Sequence, residues 1–360
     1  MEEIGKKRFA AAGVVVASLI YFLVCASPLQ KELILVPSWT RSVTLAPSVP
    51  QAKNVGPSST SSIPFRLGDR YGYFTPEGSV LFAATLSYGV AMASDAFAPY
   101  ERLSDGFTIE SPEGTNPQRV SAVGYPFFVA GRRFVIGPDQ ATVSELVRGG
   151  ATAWTHKFAS VVTAFDACPS VAAFGLMDGS IVGLGGSGAA VLDFAPGGSR
   201  LSGVYGVAVS PDGLLVAAIT GLDKQRLVVM EKRSAAYRVV HHRYLASDYR
   251  GPVFIAFTPD GRRLAYESPS GVSVYDRATR RETLVSVPAT SRLGQTTRNG
   301  DILVFLSDAG DGKRLVCTEV PDRRVVDVSF QAKLAFVETR GDALFVGLDD
   351  TIVRMDLQER

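Results

Sequence analysis

The feature that most constrains this chain is a short hairpin pattern that recurs along it. Its clearest copy is Phe257–Tyr266, with the sequence FTPDGRRLAY, and weaker copies are Val207–Ala218 and Tyr73–Ala83. In each copy an apolar strand leads through Pro-Asp-Gly or Pro-Glu-Gly into a second apolar strand. Proline sets φ for the first turn position, the acidic side chain bonds the local backbone, and glycine adopts positive φ without steric cost. The pattern therefore predicts a repeated β-hairpin.

Looser copies extend the hairpin pattern over most of the chain. The predicted turn glycines are Gly78, Gly131, Gly179, Gly213, Gly261, Gly300 and Gly341. Their mean spacing is roughly 44 residues, close to the ~40–45 residues of a four-stranded propeller blade. We therefore predict an all-β, seven-bladed β-propeller, and six or eight blades stay open because the spacings are uneven. A sandwich or barrel is disfavoured because the repeating unit is a whole blade rather than a single strand.

The run Phe257–Tyr266 resembles the WD40-like β-propeller repeat of TolB-type periplasmic proteins. The resemblance is close at residues 255–266, fair at 205–218 and faint elsewhere, and the Trp-Asp blade endings of true WD40 proteins are missing. It implies a propeller in a bacterial periplasm, with partners such as envelope lipoproteins or outer-membrane machinery. It names no reaction, because propellers host enzymes, scaffolds and transport components alike.

The N-terminal region begins with a basic tail, residues 1–8, followed by an uncharged apolar stretch, residues 9–27. As a helix, this stretch is roughly 28 Å long, close to the hydrocarbon thickness of a bilayer. The basic residues precede it, so the positive-inside rule places the N-terminus in the cytoplasm and the remainder of the chain in the periplasm or outside the cell. We therefore predict a single-pass membrane protein. A cleaved signal sequence and lipidation at Cys25 are the alternatives.

Residues 28–66 are rich in proline, serine and threonine, a composition typical of an extended linker, and residues 67–360 are predicted to form the propeller. Within the linker, Leu33–Val36 is a short apolar run of strand type. A propeller closes its ring to remove exposed strand edges. We therefore expect a strand near Phe65–Phe74 to complete the last blade, which ends with the strand-like segment Thr351–Leu357.

The overall composition gives no sign of a strongly charged partner. The net charge is +2, and the basic residues do not cluster with aromatic residues, so we predict no binding to nucleic acid. Two cysteines lie beyond the apolar N-terminal stretch. Cys168 and Cys317 both occur in apolar, strand-like segments and are predicted to be buried free thiols.

No motif assembles a catalytic, metal or cofactor site. Gly183–Gly188 matches a dinucleotide-binding string, but a strand rather than a helix follows it. Ser187 within it lacks the second glycine of a nucleophile elbow. The acidic loop Ser307–Lys313 does not have the calcium-loop spacing. The histidines, none in metal-ligand spacing, are His156, His241 and His242. We therefore predict no cofactor, no metal and no enzymatic activity.

Loops that join consecutive blades are the expected binding elements of a propeller, because rigid scaffolds carry function on their loops. The predicted loops are Tyr100–Ser104, Tyr244–Gly251 and Ala289–Gln295. The second is rich in tyrosine and arginine, which are enriched at binding hot spots. The predicted binding residues are Tyr244, Asp248, Tyr249 and Arg250.

These features favour a membrane-anchored, extracytoplasmic propeller that acts as a non-catalytic protein-binding scaffold in an envelope assembly. Its expected partners are envelope or membrane proteins, with the membrane itself contacted through residues 9–27. One alternative is a propeller enzyme of the metal-dependent hydrolase or lactonase type, which needs three or four Asp, Glu, Asn or His side chains converging at the channel mouth. Another is an adhesin or carbohydrate-binding module, which needs aromatic side chains on one face of the disc.

Overall fold

The computed structural model describes residues 21, 32–44, 46–49, 62–102, 105–200, 202–247, 249–287, 292–295, 301–320 and 323–359, with the backbone alone for 292–295. The predicted tail and membrane segment, apart from Tyr21, lie outside these residues. Within the described part, no helix combines the length and apolar character needed to cross a bilayer. The chain divides into one small unit, Met1–Ile34 with Gln358–Arg360, and one large unit, Leu35–Leu357. The propeller is the large unit.

The described residues form 31 β-strands. The first is β1 (Leu33–Ser42). A three-stranded sheet follows, made of β2 (Ile63–Leu67), β3 (Arg70–Phe74) and β4 (Val80–Thr85). Blade 1 contains β5 (Gly89–Met92), β6 (Phe97–Tyr100), β7 (Phe107–Ile109) and β8 (Gln118–Val120). Blade 2 contains β9 (Tyr125–Val129), β10 (Arg132–Ile136), β11 (Thr142–Leu146) and β12 (Thr152–Lys157).

The remaining blades follow in chain order. Blade 3 contains β13 (Val162–Ala167), β14 (Val171–Leu176), β15 (Ile181–Gly185) and β16 (Ala190–Phe194). Blade 4 contains β17 (Val204–Val209), β18 (Leu215–Thr220), β19 (Arg226–Arg233) and β20 (Ala236–Tyr244). Blade 5 contains β21 (Ile255–Phe257), β22 (Arg263–Ser268), β23 (Gly271–Asp276) and β24 (Glu282–Val285). Blade 6 contains β25 (Arg292–Gln295), β26 (Ile302–Ala309), β27 (Gly312–Glu319) and β28 (Arg323–Phe330). Blade 7 contains β29 (Ala335–Arg340), β30 (Ala343–Leu348), β31 (Thr351–Glu359) and β1.

Six of these blades are continuous four-stranded antiparallel sheets, and blade 1 is assembled from two hairpins. The hairpins of blade 1 are joined by a bridge in which the Phe97 and Glu110 backbones exchange hydrogen bonds of 2.8 and 2.9 Å. The first strand of each blade lies nearest the ring centre. The first strands of neighbouring blades begin side by side. At the start of β17 and just before β21, for example, the Val253 N–H donates to the Tyr205 carbonyl at 2.9 Å. The described segments that join consecutive blades therefore emerge on one side of the ring.

We call that side the loop face. It carries the blade-connecting segments, such as residues 158–161 and 249–254, together with the turns between second and third strands, such as residues 177–180. The opposite side, which we call the turn face, carries the turns between first and second strands and between third and fourth strands. Residues 210–214 and 147–151 are examples of these turns. A surface built from connecting segments of several blades is where a propeller can present side chains from different parts of its chain.

The three-stranded sheet lies between blade 7 and blade 1. On one side Phe65 stacks on Phe336, with ring centroids 6.3 Å apart, and on the other Tyr73 contacts Phe97 at 5.9 Å. Gly68, at the end of β2, approaches Leu334, which precedes β29. The strand β2 therefore runs antiparallel to β29, the first strand of blade 7. This is the direction in which the second strand of each blade runs. The seven four-stranded blades agree with the predicted number, and the three-stranded sheet packs between two of them.

The predicted hairpin turns explain the uneven spacing of the glycines. Gly300 lies outside the described residues. The six other predicted turn glycines all have positive φ, between 62° and 93°. Four of them, Gly131, Gly213, Gly261 and Gly341, lie between first and second strands. Gly179 lies between second and third strands, and Gly78 lies between β3 and β4, so the intervals to their neighbours differ from one blade length.

The Pro-Asp-Gly hairpins share one hydrogen-bonding device. The Thr258 hydroxyl bonds the Asp260 carboxylate at 2.6 Å and accepts from the Arg263 N–H at 3.0 Å. In the preceding blade the Ser210 hydroxyl bonds the Asp212 carboxylate at 2.5 Å and accepts from the Leu215 N–H at 2.8 Å. Both hydroxyl-bearing residues are fully buried. The hydroxyl group therefore belongs to the turn signature, because it satisfies a backbone donor inside the hairpin.

Closure of the ring uses a different strand from the one expected. The outermost strand of blade 7 is β1, which pairs with β31, and the Val43 N–H donates to the Asp350 carbonyl at 2.9 Å. The segment Phe65–Phe74 instead belongs to β2 and β3, so its prediction as the closing strand was wrong. The strand β1 is held by Trp39, whose indole N–H donates to the Pro76 carbonyl at 3.1 Å. Residues 33–42 of the predicted linker 28–66 are therefore a strand, as the apolar run Leu33–Val36 indicated.

Candidate functional site

The residues considered as catalytic or metal candidates lie in ordinary strands and turns. Gly183–Gly188 spans the end of β15 and the turn to β16, and no helix follows it. Ser307–Lys313 is the hairpin between β26 and β27. Cys168 and Cys317 are buried free thiols, as predicted. Among the described residues, no three His, Cys, Asp or Glu side chains come together as a group able to hold a metal ion.

The predicted binding loop joins β20 of blade 4 to β21 of blade 5 and lies on the loop face. Its predicted residues do not converge. Tyr244 lines a groove between β20 and blade 5, Tyr249 lines a neighbouring smaller groove, and Arg250 lines a pocket at the start of the first strands. Asp248 lies outside the described residues. The loop therefore separates three concave surfaces.

The other two predicted loops have different places. Residues 100–102 begin at the last residue of β6 inside blade 1, so this segment joins second and third strands and not consecutive blades, although it still emerges on the loop face. Leu103 and Ser104 lie outside the described residues. Residues 292–295 of the third predicted loop form β25 itself. The sequence of this segment suggests a loop because a four-residue strand that contains a glycine shows little apolar periodicity.

The pocket that Arg250 lines, which we call the mouth pocket, has a volume of about 350 Å3. It lies where β13 and β17 begin and just before β21. Its lining includes Val162, Met177, Val204, Tyr205, Arg250 and Pro252. The Thr163 hydroxyl donates to the Val204 carbonyl at 2.6 Å and so fixes the two first strands side by side. The pocket is therefore shared by blades 3, 4 and 5.

The mouth pocket is mainly apolar, with positive charge at its edge. Burial raises the pKa of the Tyr205 phenol, and the nearby Arg250 guanidinium offsets part of that rise. The Tyr205 hydroxyl is therefore neutral at physiological pH. The Met177 side chain, on the turn between β14 and β15, is 57% exposed beside the pocket. A flexible, polarizable thioether in this position can adapt to an incoming apolar group.

More exposed large hydrophobic side chains lie on the loop face than on the turn face. Those described on the loop face are Tyr88, Val123, Met177, Tyr244, Tyr249 and Leu334. Those on the turn face are Val147 and Leu214, and three more, Val239, Leu284 and Val328, lie within the outermost strands. Tyr88 also belongs to a cluster with Tyr100 and Tyr125, in which the ring centroids are 5.9 to 6.5 Å apart. Met177, Tyr205 and this cluster were not predicted from sequence, because their members are far apart in the chain and only the ring brings them together.

The groove beside Tyr244, which we call the side groove, has a volume of about 390 Å3 and lies between the end of β20 and strands β22–β24. Its lining includes Arg243, Tyr244, Tyr266, Ser268, Ser270, Ser273, Glu282, Thr283 and Leu284. The Glu282 carboxylate pairs with the Arg243 guanidinium and lies 3.1 Å from His241 Nε2. The His241 ring stacks on Tyr275, with centroids 4.6 Å apart. Charged groups beside this groove are thus already paired.

Comparison with known proteins identifies the family. A family model described as a β-propeller protein matches residues 1–360. The chain belongs to this β-propeller family. It is similar to an uncharacterized protein of Treponema pallidum (strain Nichols), with 28% identity over 344 residues, which cover 94% of this chain and 91% of the relative.

Solved structures share the propeller fold at lower identity. BamB from Moraxella catarrhalis matches with a TM-score of 0.59 and 13% identity, covering 90% of this chain and 100% of that one. A complex of KlAtg21 with the coiled coil of AgAtg16 matches with a TM-score of 0.56 and 13% identity, covering 76% of this chain and 96% of that one. At these identities the likeness shows the fold alone. The predicted propeller is confirmed, while the WD40-like, TolB-type assignment stays a prediction.

Proposed function

We propose that this β-propeller is a non-catalytic, protein-binding scaffold that engages its partner through the loop face, as part of an envelope assembly. The observation that carries the proposal is the mouth pocket. It is an apolar concavity shared by three blades, with Arg250 at its edge and the exposed Met177 beside it. Arginine and large adaptable side chains around a desolvated pocket are typical of binding hot spots.

The chemistry of the mouth pocket favours a particular kind of partner segment. A volume of about 350 Å3 accommodates one or two large apolar side chains. The Arg250 guanidinium can form a bidentate pair with a carboxylate that flanks such an anchor. An amphipathic segment with an apolar anchor and a neighbouring Asp or Glu therefore fits the pocket. An acidic amphipathic helix presents these groups on one face.

The difference between the two faces of the ring supports the same proposal. Six exposed large hydrophobic residues of the described chain lie on the loop face, two lie on the turn face and three lie within the outermost strands. Exposed apolar side chains gathered on one surface mark sites of interaction. A solved propeller of similar fold, KlAtg21, is in complex with a coiled coil, which is a precedent for a helical partner. The envelope setting rests on the predicted membrane segment 9–27 and on the resemblance to TolB-type proteins.

The test is crosslinking of the full-length protein in its native membrane, followed by affinity purification and mass spectrometry. Wild-type protein is expected to recover one or a few envelope proteins at near-stoichiometric yield. Met177→Asp and Arg250→Glu should each lower that yield at least tenfold, because they place a charge against the apolar anchor or repel its carboxylate. Val147→Asp is the matched control, since Val147 is 48% exposed on the turn face.

Two results would contradict the proposal. One is purification of the wild-type protein as a lone monomer with no enriched partner. The other is equal recovery of the partner with the mouth-pocket variants and with Val147→Asp, which would move the interaction away from the loop-face pocket.

A further inference from the structure

A further concave surface, which we call the blade-1 cleft, plays no part in the protein-binding proposal. Its volume is about 440 Å3, and it lies between the outer part of blade 1 and the loop-face end of the three-stranded sheet. Among the described residues that sheet has no fourth strand, whereas blade 1 continues outward to β7 and β8. The surface of these two strands that faces the sheet is therefore open.

The alternation of side chains along β7 and β8 makes this open surface polar. Phe107, Ile109 and Val120 pack toward blade 2, in an apolar cluster that includes Val135 of that blade. Successive side chains of a strand point to opposite faces, so the residues next to them point away from blade 2 and toward the cleft. The cleft therefore has a polar wall, made of Thr108, Glu110 and Arg119.

The polar wall carries a carboxylate and a guanidinium that are not paired. Within the described part of the chain, the side chains of Glu110 and Arg119 form no ion pair and no hydrogen bond, with each other or with other groups. Glu110 is half-buried and Arg119 is exposed. Thr108 lies directly opposite Arg119 in the β7–β8 pair and two residues before Glu110. The two charged residues are thus diagonal neighbours, roughly 7 Å apart at Cβ, a spacing that a small ligand with both charges can bridge.

Tyr71, from β3 of the three-stranded sheet, lies on the opposite wall. Its ring is 6% exposed and packs on Phe82 and Phe97, with centroids 6.1 and 6.0 Å away. Burial raises the pKa of its phenol, and the Glu110 carboxylate raises it further, so the hydroxyl is neutral. This hydroxyl has no hydrogen-bond partner among the described residues and is not closed off from the cleft. It is therefore free to accept from a cation that Glu110 binds.

We propose that the blade-1 cleft binds a small zwitterion, an α-amino acid or a dipeptide, with its ammonium group on Glu110 and its carboxylate on Arg119. The three ammonium donors can reach the Glu110 carboxylate and the hydroxyls of Tyr71 and Thr108. A guanidinium binds a carboxylate through two parallel hydrogen bonds. Glu101, exposed at the edge of the cleft, adds a second carboxylate and favours a ligand with a basic side chain.

The size and place of the cleft agree with this ligand. A volume of about 440 Å3 is at the small end of ligand sites and holds an amino acid or a dipeptide. The cleft shares no lining residue with the mouth pocket, so the zwitterion and the partner protein can bind independently. This proposal therefore does not depend on the scaffold function.

Calorimetry with purified full-length protein in detergent tests the proposal. The probes are L-alanine, L-lysine, L-glutamate, alanyl-alanine and lysyl-alanine, so that free amino acids and dipeptides are separate arms. The probe that binds most tightly is then compared with its N-acetyl and its C-amide forms, each of which removes one of the two backbone charges. Either form should bind at least tenfold more weakly.

Glu110→Gln and Arg119→Gln remove the same two charges from the protein, and each should weaken binding of the unmodified probe at least tenfold. Glu110→Gln should bind the N-acetyl form as weakly as wild type does, and Arg119→Gln the C-amide form, because the contact is already lost. Glu77→Gln and Arg238→Gln are the matched controls, since both residues are exposed and unpaired within the described chain and lie outside the cleft. They and Arg250→Glu should bind as wild type does.

The result decides in either direction. Neither Glu110→Gln nor Arg119→Gln breaks a side-chain contact with the described residues, so both should fold, and thermal melts within about 2 °C of wild type will show this. If one variant does not fold, the other and the modified probes decide. Zwitterion binding that both modified probes and the folded variants weaken supports the proposal. No binding of any probe up to about 10 mM, equal affinity in wild type and the folded variants, or equal binding of the N-acetyl and C-amide forms overturns it.

Discussion

The Asp166 carboxylate accepts a hydrogen bond from the Val209 N–H at 2.8 Å and so joins the first strand of blade 3 to the first strand of blade 4. Its other oxygen accepts from the Ala167 N–H at 2.8 Å. Burial raises the pKa of Asp166 to about 6, although both N–H donors act to lower it. The contact between the first strands of blades 3 and 4 therefore depends on a buried carboxyl group, that of Asp166, whose ionisation is unfavourable in the folded protein.

We expect this carboxyl group to make stability fall as pH rises from about 4 to about 6. The folded-state pKa lies above the ordinary value of 3.8, so folding favours the protonated form. Its contribution is fully present below pH 4 and is lost as pH passes the folded pKa, by about 2–3 kcal/mol. Asp166→Asn cannot titrate. The free energy of unfolding of wild type minus that of the variant, from urea titrations, should fall across this window and stay flat above it. A difference that is constant or rises with pH would contradict the assignment.

Replacing Arg132 should destabilise the propeller strongly. Its guanidinium forms a two-bond pair with Glu145, at 2.7 and 2.8 Å, and donates to the Cys168 carbonyl of the next blade at 3.2 Å. Both side chains of the ion pair are largely buried, with 8% and 13% exposure. Arg132→Met leaves the Glu145 carboxylate buried and unpaired, which costs about 3–5 kcal/mol. Urea unfolding measures the loss.

The comparison for Arg132 is an exposed ion pair of similar length. Arg323 and Glu319 are 3.0 Å apart and about two-fifths exposed. Arg323→Met should change the free energy of unfolding by at most about 1 kcal/mol. The double variant Arg132→Met, Glu145→Leu should recover part of the loss, because it removes the unpaired charge. Equal effects of the two arginine substitutions would show that burial does not control the strength of the Arg132 pair.

Two turn glycines on the same face should differ in their tolerance of alanine. Gly131 and Gly213 have φ values of 74° and 69°, so either alanine costs about 1 kcal/mol of backbone strain. A Cβ at Gly131 would meet open space, whereas one at Gly213 would lie 2.4 Å from the Ser170 hydroxyl of the neighbouring blade. Gly213→Ala should therefore cost about 1–2 kcal/mol more than Gly131→Ala, because Ser170 must move. Thermal melts of both variants compare them directly, and equal melting temperatures would refute the crowding argument.

The thiol of Cys317 should report opening of blade 6. It is fully buried, and burial raises its pKa to about 12. Thiolate is the reactive form, so native protein should resist alkylation by iodoacetamide at pH 8, while unfolded protein should react readily. Mass spectrometry of a Cys25→Ser, Cys168→Ser background follows this single site. Labelling of Cys317 in the native state at the rate of an exposed thiol would contradict its buried position.

The propeller fold was predictable because its hairpin turns depend on local chemistry. Thr258, Asp260 and Gly261 each satisfy a backbone requirement within a few residues, so their spacing alone indicates the turn. Blade 1 is harder to recognise in the sequence. Its strands are short, and a single bridge at Phe97 joins its two hairpins. The closing role of β1 was not predictable in the same way. It depends on contacts such as Trp39 with Pro76, which only the folded ring creates.

The candidate sites were less accessible to sequence reasoning than the fold. The predicted loop residues Tyr244, Tyr249 and Arg250 do lie on the loop face, but each lines a different concavity. Met177 reaches the mouth pocket from a turn that resembles any other Asp-Gly turn. Such sites form where residues of neighbouring blades meet, which no short motif encodes.

The pairing of β1 with β31 has a consequence for how the chain reaches its native state during synthesis. The two strands that close blade 7 are separated by about 300 residues, the longest-range kind of contact that a fold can require. Because synthesis proceeds from the N-terminus, β1 leaves the ribosome with no partner, and it stays an unpaired edge until almost the last residue has been added. Intermediate blades can form in turn as they emerge, but the ring remains open throughout. Completion is therefore a single late event, and any factor that protects the nascent protein must hold β1 until then.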